Sequence, residues 1–281
     1  MILKIFLISL SLISMFAMGL QITKKKDDLD LKRFAFLVLG LNYLILPCLA
    51  FYLTWALELT EEFRMAILLC AISPGGTSGA IFVIRSNGNP FIGGLMILGL
   101  NTIGSVLIPI IVYLSLNAMV AIPLSLIGKI FLIGLGIQAF PLMLGIWFRK
   151  YLKFNHSSIS KALSQVANLI LFISILLITI DNYSALLNLE WEIIFVIILL
   201  AVFASNSGFL FFKYPLDIQS SISAVTGIRN LTIAFLLVEF LWKDTTISIG
   251  IMLYGAIMYI VAYFSTNLWK SKVKYADNFD E

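Results

Sequence analysis

About nine apolar stretches, each close to the roughly 20 residues that a helix needs to cross a bilayer, occupy almost the whole chain. They run at 2–22, 34–57, 65–85, 91–116, 124–148, 159–180, 191–212, 215–240 and 246–269, with only short polar connections between them. A chain so arranged cannot surround itself with a polar shell. Of its 281 residues 60% are hydrophobic and 12% charged, and the mean hydropathy is +1.02, whereas about a quarter of a soluble domain is charged. Lipid must therefore be its solvent. The expected fold is all-α, a polytopic membrane protein forming a single transmembrane unit over residues 1–281.

Charge between the stretches gives an orientation. Lys24, Lys25, Lys26, Lys32 and Arg33 follow the first stretch, and Arg149, Lys150, Lys153, Lys161, Lys213, Lys270, Lys272 and Lys274 fall on the same side if the stretches alternate. The opposite side holds Lys4, Arg64 and Lys243 among Glu58, Glu61, Glu62, Asp181, Glu190, Glu192 and Asp244. Basic loops stay in the cytoplasm, so the expected C-terminus is cytoplasmic and, with an odd count, the N-terminus outside, in the inner (plasma) membrane. A signal peptide is the other reading of residues 2–22, with Lys4 as its basic end and Ala17 and Gly19 as small residues. The pI of about 9.0 follows from these flanking cations, so no nucleic acid is expected as a partner. Trp55, Trp147, Trp191, Trp242 and Trp269 stand near stretch ends and are expected to anchor at the membrane interface.

Catalytic chemistry has little material. The one histidine, His156, lies in a polar loop, Cys48 and Cys70 sit inside apolar stretches, and the acidic residues are nearly all in loops, with Glu239 near a helix end. No metal centre, cofactor or enzyme activity is expected.

Two stretches are interrupted. The third contains Ser73-Pro74-Gly75-Gly76-Thr77-Ser78, and the eighth Ser220-Ser221-Ile222-Ser223-Ala224-Val225-Thr226-Gly227-Ile228-Arg229-Asn230. Proline removes a helix donor and glycine is a poor helix former, so breaks are expected at Pro74, Gly75, Gly76 and Gly227. Irregular backbone at membrane depth must be buried in protein or line a watery cavity; a proline kink with small residues for close helix packing is the plainer account. The two stretches run in opposite directions, which points to inverted repeats around a midplane binding site. Arg229 is a charge near mid-bilayer and must face a cavity or a partner. It is either a structural cation held by carbonyls freed at the breaks, or a group that binds an anion or replaces a transported cation. Arg85, near a helix end, can snorkel. Asn42, Asn101, Thr102 and Gln138 are further polar residues in apolar stretches, as interhelical glue or as cavity lining.

These motifs resemble the sodium/bile-acid symporter family. Phe16-Ala17-Met18-Gly19-Leu20-Gln21-Ile22-Thr23 is similar to its early Met-Gly-Leu marker. Ser73-Pro74-Gly75-Gly76-Thr77-Ser78 with Asn87-Gly88-Asn89 is similar to its Cys-Pro-Gly-Gly-Thr and Arg-Gly-Asn segment, and Gly227-Ile228-Arg229-Asn230 to its Glu-Val-Gly-x-Gln-Asn segment. Asn42, five residues before Pro47, falls where the family has a sodium-binding glutamine. The resemblance implies two inverted repeats (here 4+5 helices), a panel and a core subdomain interleaved along the chain, the core at about 34–117 and in part 159–240, and two discontinuous helices that cross. It implies a secondary transporter of a small organic anion, with Asn42, Ser73, Thr77, Ser78, Asn101, Thr226, Arg229 and Asn230 as the substrate- or ion-binding set.

The departures concern the coupling ion. The family's sodium-ligand positions hold Gly79, Ala80, Gly93, Ile97, Val225 and Arg229 in this sequence. Sodium needs several oxygens in place of its hydration shell, and a fixed guanidinium repels it. The expectation is a carrier that does not use the family's standard sodium sites. Two alternatives stand beside it: a non-transporting membrane receptor on the same fold, and an ordinary sodium-coupled symporter with rearranged ligands.

Overall fold

The structure of the protein, a computed structural model, describes residues 2–22, 31–115, 124–151, 156–181, 183, 190–242 and 244–277. Among them there is no β-strand, and three helices (Lys32–Ala56, Trp191–Phe211 and Thr245–Val273) are long and apolar enough to cross a membrane by length and composition. Lys24, Lys25, Lys26, Lys153 and Lys243 lie outside the described residues, as do the side chains of Lys4, Gln138, Glu239 and Lys274.

Helix α1 (Ile2–Gln21) packs against α7 (Leu124–Tyr151) and α8 (His156–Asp181). Gly19 and Gly145 permit this. A Cβ on either residue would lie 2.9 Å from the other's Cα and would run into carbonyls of the facing helix. Small residues let helix backbones approach where no hydrophobic effect drives them together. Hydrogen bonds complete the seam: Ser160 donates to the Ala17 carbonyl at 2.8 Å, Gln21 to the Ser160 hydroxyl at 2.9 Å, and Arg149 to the Ile22 carbonyl. Gly145→Leu is expected to pry α1 from α7 at a cost of about 1–3 kcal/mol, seen as a lower melting temperature of the purified protein.

The second group begins with α2 (Leu31–Gly40), a π-helical turn at Leu41–Ile45 and α3 (Leu46–Ala56). Pro47 follows the turn, and its missing N–H leaves the Tyr43 carbonyl without its helical donor, a usual origin of such a bulge. Helix α4 (Glu61–Ala71) returns antiparallel to α3 and stops before Pro74; α5 (Gly79–Arg85) resumes the direction, and α6 (Pro90–Ser115) follows. Helix α9 (Trp191–Asn206) ends in a 3-10 turn (Ser207–Phe211). Helix α10 (Leu216–Gly227) stops, α11 (Leu231–Leu241) restarts after three residues, and α12 (Thr245–Asp277) packs along α9 and α4.

Helix α10 is the axis of this group. Every residue from Ile218 to Gly227 is buried, the serines included. Their hydroxyls are used internally: Ser220 donates to the Ser86 hydroxyl at 2.7 Å, Ser221 to the Asp217 carbonyl at 2.8 Å, and Ser223 accepts from the Gly208 N–H at 2.8 Å. The hydroxyls thus bind the broken helices to their neighbours.

One expectation is corrected. Trp269 is not an interfacial anchor: it is 1% exposed, lies against Phe209 with ring centroids 4.5 Å apart, and donates its indole N–H to the Ser205 carbonyl at 3.3 Å. Its place on the inner face of α12 decides this. Trp55, Trp147 and Trp191 are exposed.

Candidate functional site

The two breaks meet. Between α4 and α5 the chain leaves the helix at Ile72, and Gly75 takes a φ of +75°, a left-handed conformation that glycine adopts at little cost. Between α10 and α11 Ile228 is extended, with φ −104° and ψ 116°. The two irregular segments pair antiparallel at Pro74 and Arg229. The Gly76 N–H donates to the Ile228 carbonyl at 2.9 Å, and the Asn230 N–H to the Ser73 carbonyl at 2.7 Å. Backbone groups freed by each break are thus satisfied by the other, as burial away from water requires. Gly76 is needed for contact as well as conformation: a Cβ there would stand 2.5 Å from the Arg229 carbonyl oxygen and 2.7 Å from Ile228 Cγ2.

Two side-chain relays fix the crossing. Asn230 caps α11, accepting from the Ile233 N–H, and donates to the Asn101 side-chain oxygen at 2.6 Å. Asn101 in turn donates to the Gly75 and Ile97 carbonyls at 2.5 and 2.8 Å. On the other side Asn42, in the π-helical turn, donates to the Thr226 hydroxyl at 3.3 Å and to the Val38 carbonyl at 3.0 Å, and accepts from Arg229 Nη1 at 3.2 Å. Of the residues proposed from sequence, Asn42, Thr226 and Arg229 therefore share one relay, and Asn101, Asn230 and Gly75 the other. Ser78 is bonded to the Tyr259 hydroxyl at 2.9 Å, and Thr77 is buried beside it in the chain. Ser73 contributes its carbonyl to the crossing, while its buried hydroxyl makes no hydrogen bond. Thr102 points away, exposed, whereas its neighbour Asn101 is buried.

Arg229 dominates the electrostatics. Its side chain is 1% exposed. Nη1 has the neutral Asn42 as partner, while Nε and Nη2 are buried and make no hydrogen bond within the described residues. Tyr254, Tyr43 and Cys70 are the titratable groups around it, and none is a carboxylate. Arg85, by contrast, reaches the Asn267 side-chain oxygen at 3.0 Å and lies over the Tyr263 ring.

Sequence reasoning missed the aromatic and sulfur groups that enclose the crossing. Tyr43 donates to the Leu100 carbonyl, Met258 accepts the Arg229 backbone N–H through its sulfur at 3.0 Å, and Tyr254 and Tyr259 are buried. Tyr254, Met258 and Tyr259 share a face of α12 at helical spacing, the one signal that the ninth stretch held. Alongside the crossing, α3, α4 and α6 enclose a cavity of about 630 Å3 lined by Tyr43, Phe51, Arg64, Leu69, Ile72 and Ile111, among others. Cys48 is exposed on its wall; Cys70 is buried, and both are free thiols. No cluster of three or more His, Cys, Asp or Glu residues able to hold a metal ion occurs among the described residues. Around the expected sodium positions, a Cβ at Gly79 would sit 3.6 Å from both Ile228 Cβ and Val225 Cα, and Ala80, Ile97 and Val225 are buried apolar residues.

Comparison with known proteins gives two results. The family model described as "Sodium Bile acid symporter family" matches residues 7–207. The "Uncharacterized sodium-dependent transporter YocS" of Bacillus subtilis (strain 168) is 26% identical over 227 residues, covering 78% of this chain and 68% of that protein.

Proposed function

The chain belongs to the sodium bile acid symporter family, a family of membrane-embedded transporters of small molecules, and from that premise we propose that it is a secondary transporter of a small organic anion in which Arg229 stands where relatives hold sodium. The observation that carries this reading is the buried guanidinium at the paired breaks, with two donors unused and no carboxylate to neutralise it. An unneutralised charge at this depth is costly. A binding role for an anion accounts for its retention; a purely structural role does not.

The proposal includes the larger architecture. About nine spans form two inverted repeats of four and five helices, so that the two broken helices occupy matching places in oppositely directed halves. Helices α1, α7 and α8 act as the panel and the remaining helices as the core, with access alternating as one moves against the other. Because α8 packs on α1, the panel in this reading takes most of the residues near 159–181 that sequence reasoning had assigned in part to the core. The N-terminus lies outside and the C-terminus in the cytoplasm of the inner (plasma) membrane.

The chemistry of the positions argues against the family's standard sodium sites. Gly79, Ala80, Ile97 and Val225 offer backbone carbonyls only, and Arg229 places a positive charge among them. At about 4 Å and an effective dielectric constant near 20, like charges repel by about 4 kcal/mol. The name of the Bacillus relative favours a second reading, a sodium-coupled symporter whose ligands are rearranged onto Thr77, Ser78 and Thr226. Uptake into proteoliposomes separates the two. The expected rate is the same with an inward sodium gradient as with potassium in its place. Steep sodium dependence that disappears in Thr77→Ala or Thr226→Ala would establish the second reading instead.

A further inference from the structure

We propose that the unused edge of Arg229 is a carboxylate-binding site, entered from the cavity along α3 and α4 past Tyr43. This deepens the anion-carrier reading and rests on it for biological meaning, but it concerns binding and can be tested without transport.

The argument starts from which nitrogens are free. Asn42 holds Nη1, so the unpartnered donors are Nε and Nη2. These two point the same way from the planar guanidinium and form the fork that meets the two oxygens of a carboxylate with parallel hydrogen bonds. Had the free groups been Nη1 and Nε, no such edge would exist. The neighbours Tyr43, Cys70 and Tyr254 are neutral when protonated, so one carboxylate would bring the net charge of the site to zero. A dianion would leave an excess negative charge buried, which sets the preferred charge at one.

The cavity supplies room for the rest of the molecule. Helices α3 and α4 run antiparallel, so the cavity extends from Glu61 and Arg64 at the turn end to Tyr43 and Ile72 at the crossing end. From Glu61 to Ile72 the helix rises about 16 Å at about 1.5 Å per residue. A volume of about 630 Å3 is that of a small-molecule site, and its mostly aliphatic and aromatic wall suits an apolar body with few polar groups. Tyr43 belongs to both spaces: it lines the cavity and lies beside Arg229, with its hydroxyl donated to the Leu100 carbonyl. Asn42, the partner of the guanidinium, precedes it in the chain, and Cys70, on the Arg229 side, follows the cavity residue Leu69. One layer of side chains therefore separates cavity and fork. Rotation of Tyr43 away from Leu100 joins them, and the π-helical turn that carries Tyr43 is the irregular backbone in that layer.

Cys48 is a natural reporter, since it is exposed on the cavity wall while Cys70 is buried. The test measures alkylation of Cys48 by N-ethylmaleimide in the purified full-length protein, with benzoate or its neutral isostere benzamide present. Benzoate is expected to slow the reaction several-fold and benzamide to leave it unchanged. Arg229→Gln is expected to abolish the difference and Arg229→Lys to retain a weaker one. In Tyr43→Phe, which frees the ring from Leu100, protection is expected at lower benzoate concentration. Equal protection by both probes, or none by benzoate up to its solubility, overturns the proposal, as does benzoate protection that survives in Arg229→Gln. Protection lost in Arg64→Gln but kept in Arg229→Gln would move the anion to the cavity mouth and also overturns it. If Arg229→Gln does not fold, the contrast of benzoate with benzamide in the native protein and in Arg64→Gln still decides. Because no gradient is imposed, a sodium-driven carrier could pass this test and a sodium-independent one could fail it.

Discussion

Arg229→Gln is expected to lower the initial rate of uptake on the order of 100-fold while the protein remains folded. The magnitude follows from the bond that is lost. A hydrogen bond to a charged group contributes about 1.5–3 kcal/mol, and about 1.4 kcal/mol is a factor of ten. A substrate held by the Nε–Nη2 fork would lose two such bonds, partly replaced by the amide of glutamine. The retention of fold follows from what holds the crossing together. The bonds from Gly76 to Ile228 and from Asn230 to Ser73 are backbone bonds and do not involve the side chain at position 229. Removing a buried, unneutralised charge tends to stabilise rather than to unfold. The melting temperature of the variant should therefore equal or exceed that of the native protein, and a fall in melting temperature alongside the lost uptake would mark Arg229 as structural instead. Arg229→Lys keeps the charge but not the fork, and an intermediate rate is expected.

The second large effect concerns stability. Gly76→Ala should destabilise the protein by about 3 kcal/mol or more, from about 1–3 kcal/mol of overpacking and about 1 kcal/mol for each hydrogen bond that gives way. The new Cβ would meet the Arg229 carbonyl oxygen and the Ile228 side chain at 2.5 and 2.7 Å. Backbone cannot yield there without separating the two segments. Thermal unfolding of purified protein gives the measure, with Gly99→Ala as the comparison. At Gly99 an added Cβ meets nothing within 4 Å, and the melting temperature should not fall.

Pro74-Gly75-Gly76 showed in the sequence as a break because proline and glycine act through the backbone, wherever the neighbours are. Arg229, Asn42, Asn101 and Thr226 were legible for a related reason: a polar side chain inside an apolar stretch must find a partner. Which partner it finds depends on residues far away in the chain. Asn42 and Arg229 are 187 positions apart, and nothing local to either names the other. Tyr43, Tyr254 and Met258 were overlooked because tyrosine and methionine are ordinary in lipid-facing helices, and only the fold turns these toward the guanidinium. Trp269 was misread by the same rule, since a tryptophan near a helix end reads as an anchor until the adjoining helix covers it. The π-helical turn had one clue, Pro47, but the extra residue it absorbs carries no sequence mark.

The junction of the two broken helices is tied main chain to main chain, and amides and carbonyls are the same in every residue. Selection could therefore change what stands at positions 225 and 229 without loosening the scaffold. A lineage that exchanged a dissociable cation for a covalently attached one would keep its architecture while altering its energy source. The link between solute and driving gradient, and not the fold, is then the most readily changed property of such a carrier.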